Sequence, residues 1–435
     1  MARRPAHVPL DVFLNSRLVG VLRRSSTGAI DFVYATEWLD WESTFPISLS
    51  LPLREARYVG EAVGNVFENL LPDSVSIRRQ VAERVGAGGT DAYSLLAALG
   101  HDCVGALQFL PEGVEVGPAG TTEGQPIGED EIARIIANLA RAPLGMGADT
   151  AFRISIAGAQ EKTALLCKNG SWFKPTGTAA TTHILKPQIG MLPGGVDLSN
   201  SVENEYLCLK LLGALGVPVA EAGMTTFGGR RTLVVERFDR LWARDGRLLR
   251  LPQEDMCQAL SVPPSLKYQS EGGPGIVDIL RLLQGSDTPE ADIATVMRAQ
   301  ILFWMLGATD GHAKNFSLAL GPGGRFHLTP LYDVLSAQPS FDADLIPRRD
   351  FRLAMSVGTR GRYRVDDIVP RHFLQTAAAA GIGEPLVRVI FADLAQTAEA
   401  RADAVFSTLP PSFPEELVAS LRAAIARRAR ILADA

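Results

Sequence analysis

The pattern of apolar and polar positions changes along this chain. Residues 8–53 read as short strands: 12–14 and 18–22 flank a hairpin turn at Asn15-Ser16-Arg17, and 30–34 and 47–53 are further β-like runs. Beyond Pro72-Asp73 a helical stretch reaches about Val85, Asp91 is placed to cap a helix through Leu99, and 104–110 returns as a strand. Residues 111–128, rich in Pro, Gly, Thr and Glu, read as an exposed connector. A helix follows from about Glu129 to Arg141, with Ile132, Ile135, Ile136 and Leu139 on one stripe and acidic residues in its first turn. Runs 152–156 and 163–167 are β-like, Asn169-Gly170 marks a tight turn, and 182–187 is a short strand carrying Lys186. Residues 200–215 read as a helix with Asn200 as its cap and Glu203 three residues on. Val202, Leu209 and Leu212 form its apolar side, and Glu205 falls on that same side. Residues 232–235 form a strand.

From about Leu251 the pattern is mainly helical. Pro252 suits a first helical turn, and Glu254 and Asp255 suit its dipole. Residues 267–275 are too glycine-rich for helix and read as an ordered loop. The uncharged run 299–306 reads as a buried helix. At the end, 415–432 places Leu417, Leu421, Ile425 and Leu432 on one stripe, with Arg427, Arg428 and Arg430 as a solvated helix end.

Composition sets bounds on this picture. The 435 residues are 46% hydrophobic, enough for a large core and, by size, for two or three domains. A net charge of −5 with both signs spread along the chain argues against nucleic-acid binding through bulk charge. Cys103, Cys167, Cys208 and Cys257 show no paired spacing and read as small apolar residues in a reducing compartment. The N-terminus leads into no apolar signal core, and no uncharged apolar run reaches ~18 residues, so a soluble, cytoplasmic protein is expected.

Residues 307–315, G-A-T-D-G-H-A-K-N, break out of the apolar run at a glycine. Asp310 and Asn315 have the spacing of a protein-kinase catalytic loop, in which Asp orients the attacking hydroxyl and Asn holds a metal. Asp333 follows in an apolar run, where a second metal-holding carboxylate would be needed. Each piece has a plainer reading: Asp310-Gly311 is a common turn dipeptide, Asn315 suits a turn cap, and Asp333 suits a satisfied buried carboxylate. Together, and in this order, they favour phosphoryl transfer if the chain upstream forms a nucleotide pocket. Small residues at 157–159, before Gln160-Glu161-Lys162, would let backbone N–H groups cradle phosphate, although a hairpin turn also fits. Lys186 suits a phosphate-pairing strand lysine or an edge-strand lysine. Glu205, a carboxylate on an inward stripe, wants a partner, and Lys186 is a candidate.

These blocks resemble the HipA family, the serine/threonine kinase toxins of bacterial toxin–antitoxin modules. The resemblance rests on I-S-I-A-G-A-Q-E-K-T-A-L-L at 154–166, T-H-I-L-K-P at 182–187, V-E-N-E-Y at 202–206, V-E-R-F-D-R at 235–240 and Q-E-D at 253–255. It continues with Lys267-Tyr268, G-G-P-G at 272–275, T-D-G-H-A-K-N at 309–315 and L-Y-D at 331–333, in the family's order. Residues 8–110 also look like the family's N-terminal subdomain. The resemblance implies an α+β, two-lobed protein-kinase-like fold of HipA type, with a mixed N-lobe, an extra N-terminal α+β subdomain and an all-helical C-lobe. The expected divisions are 1–110, 111–236 and 237–435.

By the same resemblance Asp310 would be the catalytic base or hydroxyl-orienting residue, and Asn315 and Asp333 would hold Mg²⁺. ATP would meet Ala157, Gly158, Ala159, Gln160, Glu161 and Lys162 as a phosphate loop. Lys186 would reach its phosphates, Glu236, Arg237 and Phe238 would lie near the adenine, and His312, Ala313, Lys314 and Asn315 would complete the site. Ser155 matches the serine that family members autophosphorylate, expelling the loop and silencing the kinase; a dianionic phosphate there would repel those of ATP. Implied partners are a HipB-like helix-turn-helix antitoxin, operator DNA through that antitoxin, and a protein substrate such as glutamyl-tRNA synthetase. The His-Arg-Asp, Asp-Phe-Gly and G-x-G-x-x-G motifs of ordinary protein kinases are missing. Two other readings remain: a small-molecule phosphotransferase using a similar Asp-x-x-x-x-Asn loop, and a non-catalytic nucleotide-binding partner of a repressor.

Overall fold

The computed structural model describes residues 7–146, 152–158, 160–191 and 197–435. The chain divides into two compact units. The first comprises 1–187, 225–265 and 318–326, and the second 188–224, 266–317 and 327–435.

The first unit opens with a five-stranded antiparallel sheet. Its order is Tyr58–Val59, Ile30–Tyr34, Arg17–Arg24, Leu10–Leu14, Leu107–Pro111. Asn15 and Ser16 both take positive φ, the geometry that joins two twisted strands through a two-residue turn. Leu10, Val12 and Leu14 alternate inward. Helices Glu61–Glu68, Val75–Val85 and Ala92–Leu99 follow, with Ser74 and Asp91 each accepting an N-terminal N–H as side-chain caps. A six-stranded sheet runs Ala222–Phe227, Arg230–Glu236, His183–Pro187, Thr163–Lys168, Ser171–Pro175, Gly124–Ile127.

The second unit is built on helices Ser201–Ala214, Ile276–Leu283, Pro289–Leu306, Pro370–Ala379, Glu384–Ser407 and Glu415–Ala433. Pro289–Leu306 starts on a proline with Glu290 and Asp292 in its first turn. It ends at Gly307, whose left-handed φ of 65° lets Ala308 N–H reach back to the Phe303 carbonyl. That termination ends the helix three residues before Asp310, which is exposed.

Several expectations are corrected. Residues 47–53 form turns rather than a strand, though Phe45, Ile47 and Leu51 are buried. Residues 152–156 form no strand, and Ser155 bonds instead to the distant Asp102 and Leu70 carbonyls. The connector contains the strand Gly124–Ile127, recruited by pairing with Ser171–Pro175. Pro252 starts no helix: Gln253–Asp255 is a strand, and Asp255 caps Met256–Ala259 through a reciprocal bond with Gln258. Asn200 makes no side-chain cap bond, and Glu203 accepts from Gln188 instead. The region from 237 onward is not all helical. Short strands such as Ser317–Gly321 and Arg325–Leu328 are joined by Pro322-Gly323-Gly324, a turn that favours a hairpin over a continuing helix. Arg428 is not a solvated end: it is 3% exposed and donates to the Met305 carbonyl and to Gln338.

None of the four cysteines forms a disulfide, and burial pushes the Cys103 and Cys208 thiols up to about 12. Among the described residues no helix is long and apolar enough to cross a membrane.

Candidate active site

In the second unit, the segment after Gly307 is fixed by its own polar groups. The His312 N–H donates to the Asp310 carbonyl at 2.8 Å, and the Asn315 N–H to the His312 carbonyl at 2.9 Å. The Asn315 side-chain Nδ2 donates to the Asp310 carbonyl (2.9 Å) and to the Asp333 carbonyl (3.2 Å). Asn315 thus gathers Asp310 and Asp333 into one cluster, although 18 residues separate it from Asp333. Using both amide hydrogens leaves its carbonyl oxygen as the acceptor end. Asp333 sits at φ 59°, an uncommon conformation for a residue other than glycine. Such a position requires the surrounding structure to hold it, and such positions cluster at functional sites.

The surroundings are built to keep this shape. His312, Ala313, Lys314 and Asn315 are buried, whereas Asp310 is exposed. A Cβ at Gly311 would meet the Phe303 ring at 2.4 Å, so only glycine lets the loop lie this close to the helix. Tyr332 is hydrogen-bonded to Ser317 (2.5 Å) and donates to the Lys314 carbonyl (2.8 Å). Tyr268 donates its hydroxyl to Asp310 Oδ1 at 2.6 Å and packs edge-on against His312. The expected ordered loop is therefore the wall that orients the Asp310 carboxylate. Sequence reasoning singled out Lys267-Tyr268 only as part of a block, and gave Tyr332 no role.

The donor set fits Mg²⁺. A carboxylate and an amide oxygen are hard ligands, and Mg²⁺ bound through nucleotide phosphates needs only one or two carboxylates from the protein.

In the first unit, Lys186 lies on His183–Pro187, between Arg230–Glu236 and Thr163–Lys168. It is therefore not an edge-strand lysine, and it is 6% exposed. Glu205, in the second unit, is buried on the inward side of Ser201–Ala214, as its stripe implied. Gly158 has φ 107° and its carbonyl accepts the Asp73 N–H. The Lys162 ammonium lies beside Gly158, next to where a Cβ would stand. Gln160 donates to the Pro187 carbonyl at 3.4 Å, and Glu161 is exposed. Ala159 lies outside the described residues.

Ser155 is fully buried. Its hydroxyl donates to the Leu70 carbonyl at 2.8 Å and its N–H to the Asp102 carbonyl at 2.9 Å. Asp102, which the sequence did not single out, is the centre of a buried ionic cluster. Its carboxylate accepts from Arg240 (2.8 Å), Arg250 (2.9 Å) and the Thr181 hydroxyl (2.7 Å), with Arg237 at 3.4 Å. Burial pushes this carboxyl up, but Arg240, Arg250 and Arg237 outweigh it and hold it well below the usual carboxylate range. Arg237 donates its guanidinium to Asp239, Thr181 and the Cys103 carbonyl, and its N–H to the Thr182 carbonyl. Of the three residues expected near adenine, Arg237 is thus engaged inside the protein, while Glu236 is exposed and Phe238 partly so.

Known proteins share this architecture. A family model described as the HipA-like C-terminal domain matches residues 154–402, and one described as the HipA N-terminal domain matches 10–110. A putative kinase, Y4mE, of Sinorhizobium fredii is 39% identical over 400 residues, covering 90% of this chain and 91% of the relative. The serine/threonine-protein kinase toxin HipA of Shewanella oneidensis is 28% identical over 362 residues, 80% of this chain and 78% of that protein. A solved complex of Shewanella oneidensis HipA, HipB and operator DNA contains a chain that superposes with a TM-score of 0.81. It has 24% identity over 98% of this chain and 97% of the other, a likeness of fold.

Proposed function

Because this chain belongs to the HipA family, we propose that it is an ATP- and Mg²⁺-dependent serine/threonine protein kinase of toxin type. The observation that carries the reading is the Asn315 amide bridging the carbonyls of Asp310 and Asp333. It supports one compact group able to align an acceptor hydroxyl beside a metal-bound triphosphate.

In this reading Asp310, its carboxylate oriented by Tyr268, directs a serine hydroxyl at the γ-phosphorus and takes its proton. The new bond is from serine oxygen to phosphorus, the bond to the β–γ bridging oxygen breaks, and ADP leaves. Mg²⁺, held by Asn315 and Asp333, would neutralise charge on the phosphates. Lys162 and Lys186 bind phosphate oxygens, the backbone at Gly158 approaches them, and Glu236 and Phe238 border the base. Ser155 is the site of autophosphorylation. Its burial and its bond to Leu70 mean that the serine must leave this position to react.

A HipB-like helix-turn-helix antitoxin is the proposed partner, bringing the chain to operator DNA, as the solved Shewanella complex suggests. The target is a protein serine, with an aminoacyl-tRNA synthetase as the first candidate.

An acceptor screen with labelled ATP tests the substrate class. Transfer to protein serine, and none to aminoglycoside-like alcohols, is expected. Transfer only to small molecules would overturn the protein-kinase reading, and no transfer from an antitoxin-free preparation would favour the non-catalytic one.

A further inference from the structure

Independently of the kinase reading, we infer that the basic hairpin at 348–364 in the second unit is a binding surface for single-stranded nucleic acid. The segment carries Arg348, Arg349, Arg352, Arg360, Arg362 and Arg364 against one acid, Asp350, in a chain of net charge −5. Strands Arg352–Val357 and Arg362–Arg364 pair so that Arg352 lies directly opposite Arg364. Like charges facing each other across a strand pair are destabilising. The fold retains that arrangement, with an acid paired to Arg364 but, among the described residues, none to Arg352.

Five of these arginines and Tyr363 line a depression of about 420 Å³ in which Asp367 is the one carboxylate. Arg364 pairs with Asp367, Arg348 with Asp366 and Arg349 with Asp350. Arg352, Arg360 and Arg362 form no ion pair among the described residues. The positive field reaches the next helix: burial, then Arg362 and Arg371, lowers the His372 imidazole.

The shape selects the ligand. Arg348 and Arg349 side chains are 71% and 83% exposed, so the array faces solvent rather than enclosing a small anion. Guanidinium groups at intervals along a short ribbon suit successive phosphates of one strand. Arg360-Gly361-Arg362-Tyr363-Arg364 interleaves an aromatic with the cations, and Tyr363 is partly exposed. An aromatic among arginines stacks an unpaired base, which a duplex does not offer. Below this face the strand is apolar, with Leu353, Met355 and Val357 buried, so the basic side chains project from a fixed support.

The test is fluorescence anisotropy of the full chain with labelled single-stranded RNA and DNA of roughly 12 nucleotides, against a duplex and polyglutamate, over a salt series. Arg360→Glu/Arg362→Glu, both outside any ion pair, is expected to weaken single-strand binding at least tenfold and to make the log K against log salt slope shallower by about 1.4. Tyr363→Ala should weaken it about tenfold with the slope unchanged. A tighter RNA or DNA arm identifies which strand is the ligand. Circular dichroism and thermal unfolding, measured in parallel, should match the parent and confirm that the variants fold. No binding by the parent, duplex or polyglutamate binding as tight as single strands, or folded variants that bind like the parent would overturn the inference.

Discussion

The loop around Asp310 and the stretch around Ser155 are both short, polar and glycine-containing, yet they are held in opposite ways. The Asp310 loop is tied largely by itself: Asn315, five residues on, bonds the Asp310 carbonyl, and His312 bonds the same oxygen. Ser155 is tied by partners far away in sequence, the carbonyls of Leu70 and Asp102. Asp102 is in turn held by arginines well over 100 residues further on. A self-tied loop presents one fixed geometry, suited to chemistry. A segment docked on remote acceptors can be released as a unit, suited to a switch.

Substitutions separate the two loops. The largest effect is expected for Asp310→Asn, which should lower turnover by roughly 10²–10⁴, the range for a lost acid–base group. Because Asp310 is exposed, stability to denaturant should hardly move. A variant that is active but unstable would reverse the assignment.

Asp102→Asn should act the other way. Removing one charge from a buried ionic cluster leaves arginines uncompensated and costs about 3–5 kcal/mol. Denaturant unfolding should show that loss, and hydrogen exchange should rise over 152–158. Turnover per folded molecule should stay within a few-fold. Unchanged exchange would separate the ionic cluster from the Ser155 segment. The carboxyl is depressed in the folded state, so its contribution is present above the ordinary carboxylate pKa and fades as pH falls through the folded value.

A smaller and opposite pH effect is expected from Glu254, buried in the first unit. Burial raises its carboxyl to about 8, against hydrogen bonds from Ser48 and the Leu49 N–H. The unfolded carboxyl ionises above about 4.5 while the folded one keeps its proton, so the wild type loses stability between those values. Glu254→Gln can keep the Leu49 bond without that penalty. It should be more stable than the parent by about 1–3 kcal/mol at pH 8, and by less at pH 5. Thermal unfolding at the two pH values reads the difference, and a variant equally destabilised at both would show that the folded carboxylate is charged.

The same contrast explains what could be read from residues alone. The pairing of Asp310 with Asn315 was legible because a spacing of five residues determines most of its geometry, whereas Asp333 joins them from 18 residues beyond Asn315. Also legible were the cap at Asp91, the break at Gly307 and the turn at Asn15-Ser16, where local chemistry decides. The setting of Ser155 was not legible, since its acceptors are backbone carbonyls, which carry no residue signature. Asp102 has no local pattern either, because its meaning comes from Arg237, Arg240 and Arg250 folding onto it. Pro252 misled for a related reason: local propensity suited a helix, but Gln253–Asp255 pairs in a sheet with Ser317–Gly321.

The central claim is that Asp310 directs phosphoryl transfer, with Ser155 as its internal acceptor. Intact-mass spectrometry of phosphatase-treated protein, before and after Mg²⁺ and ATP, tests it most directly, with Asp310→Asn in parallel. One added phosphate, on Ser155, is expected in the parent and none in the variant. A parent that binds ATP yet stays unmodified, or a variant that gains the same phosphate, would contradict it.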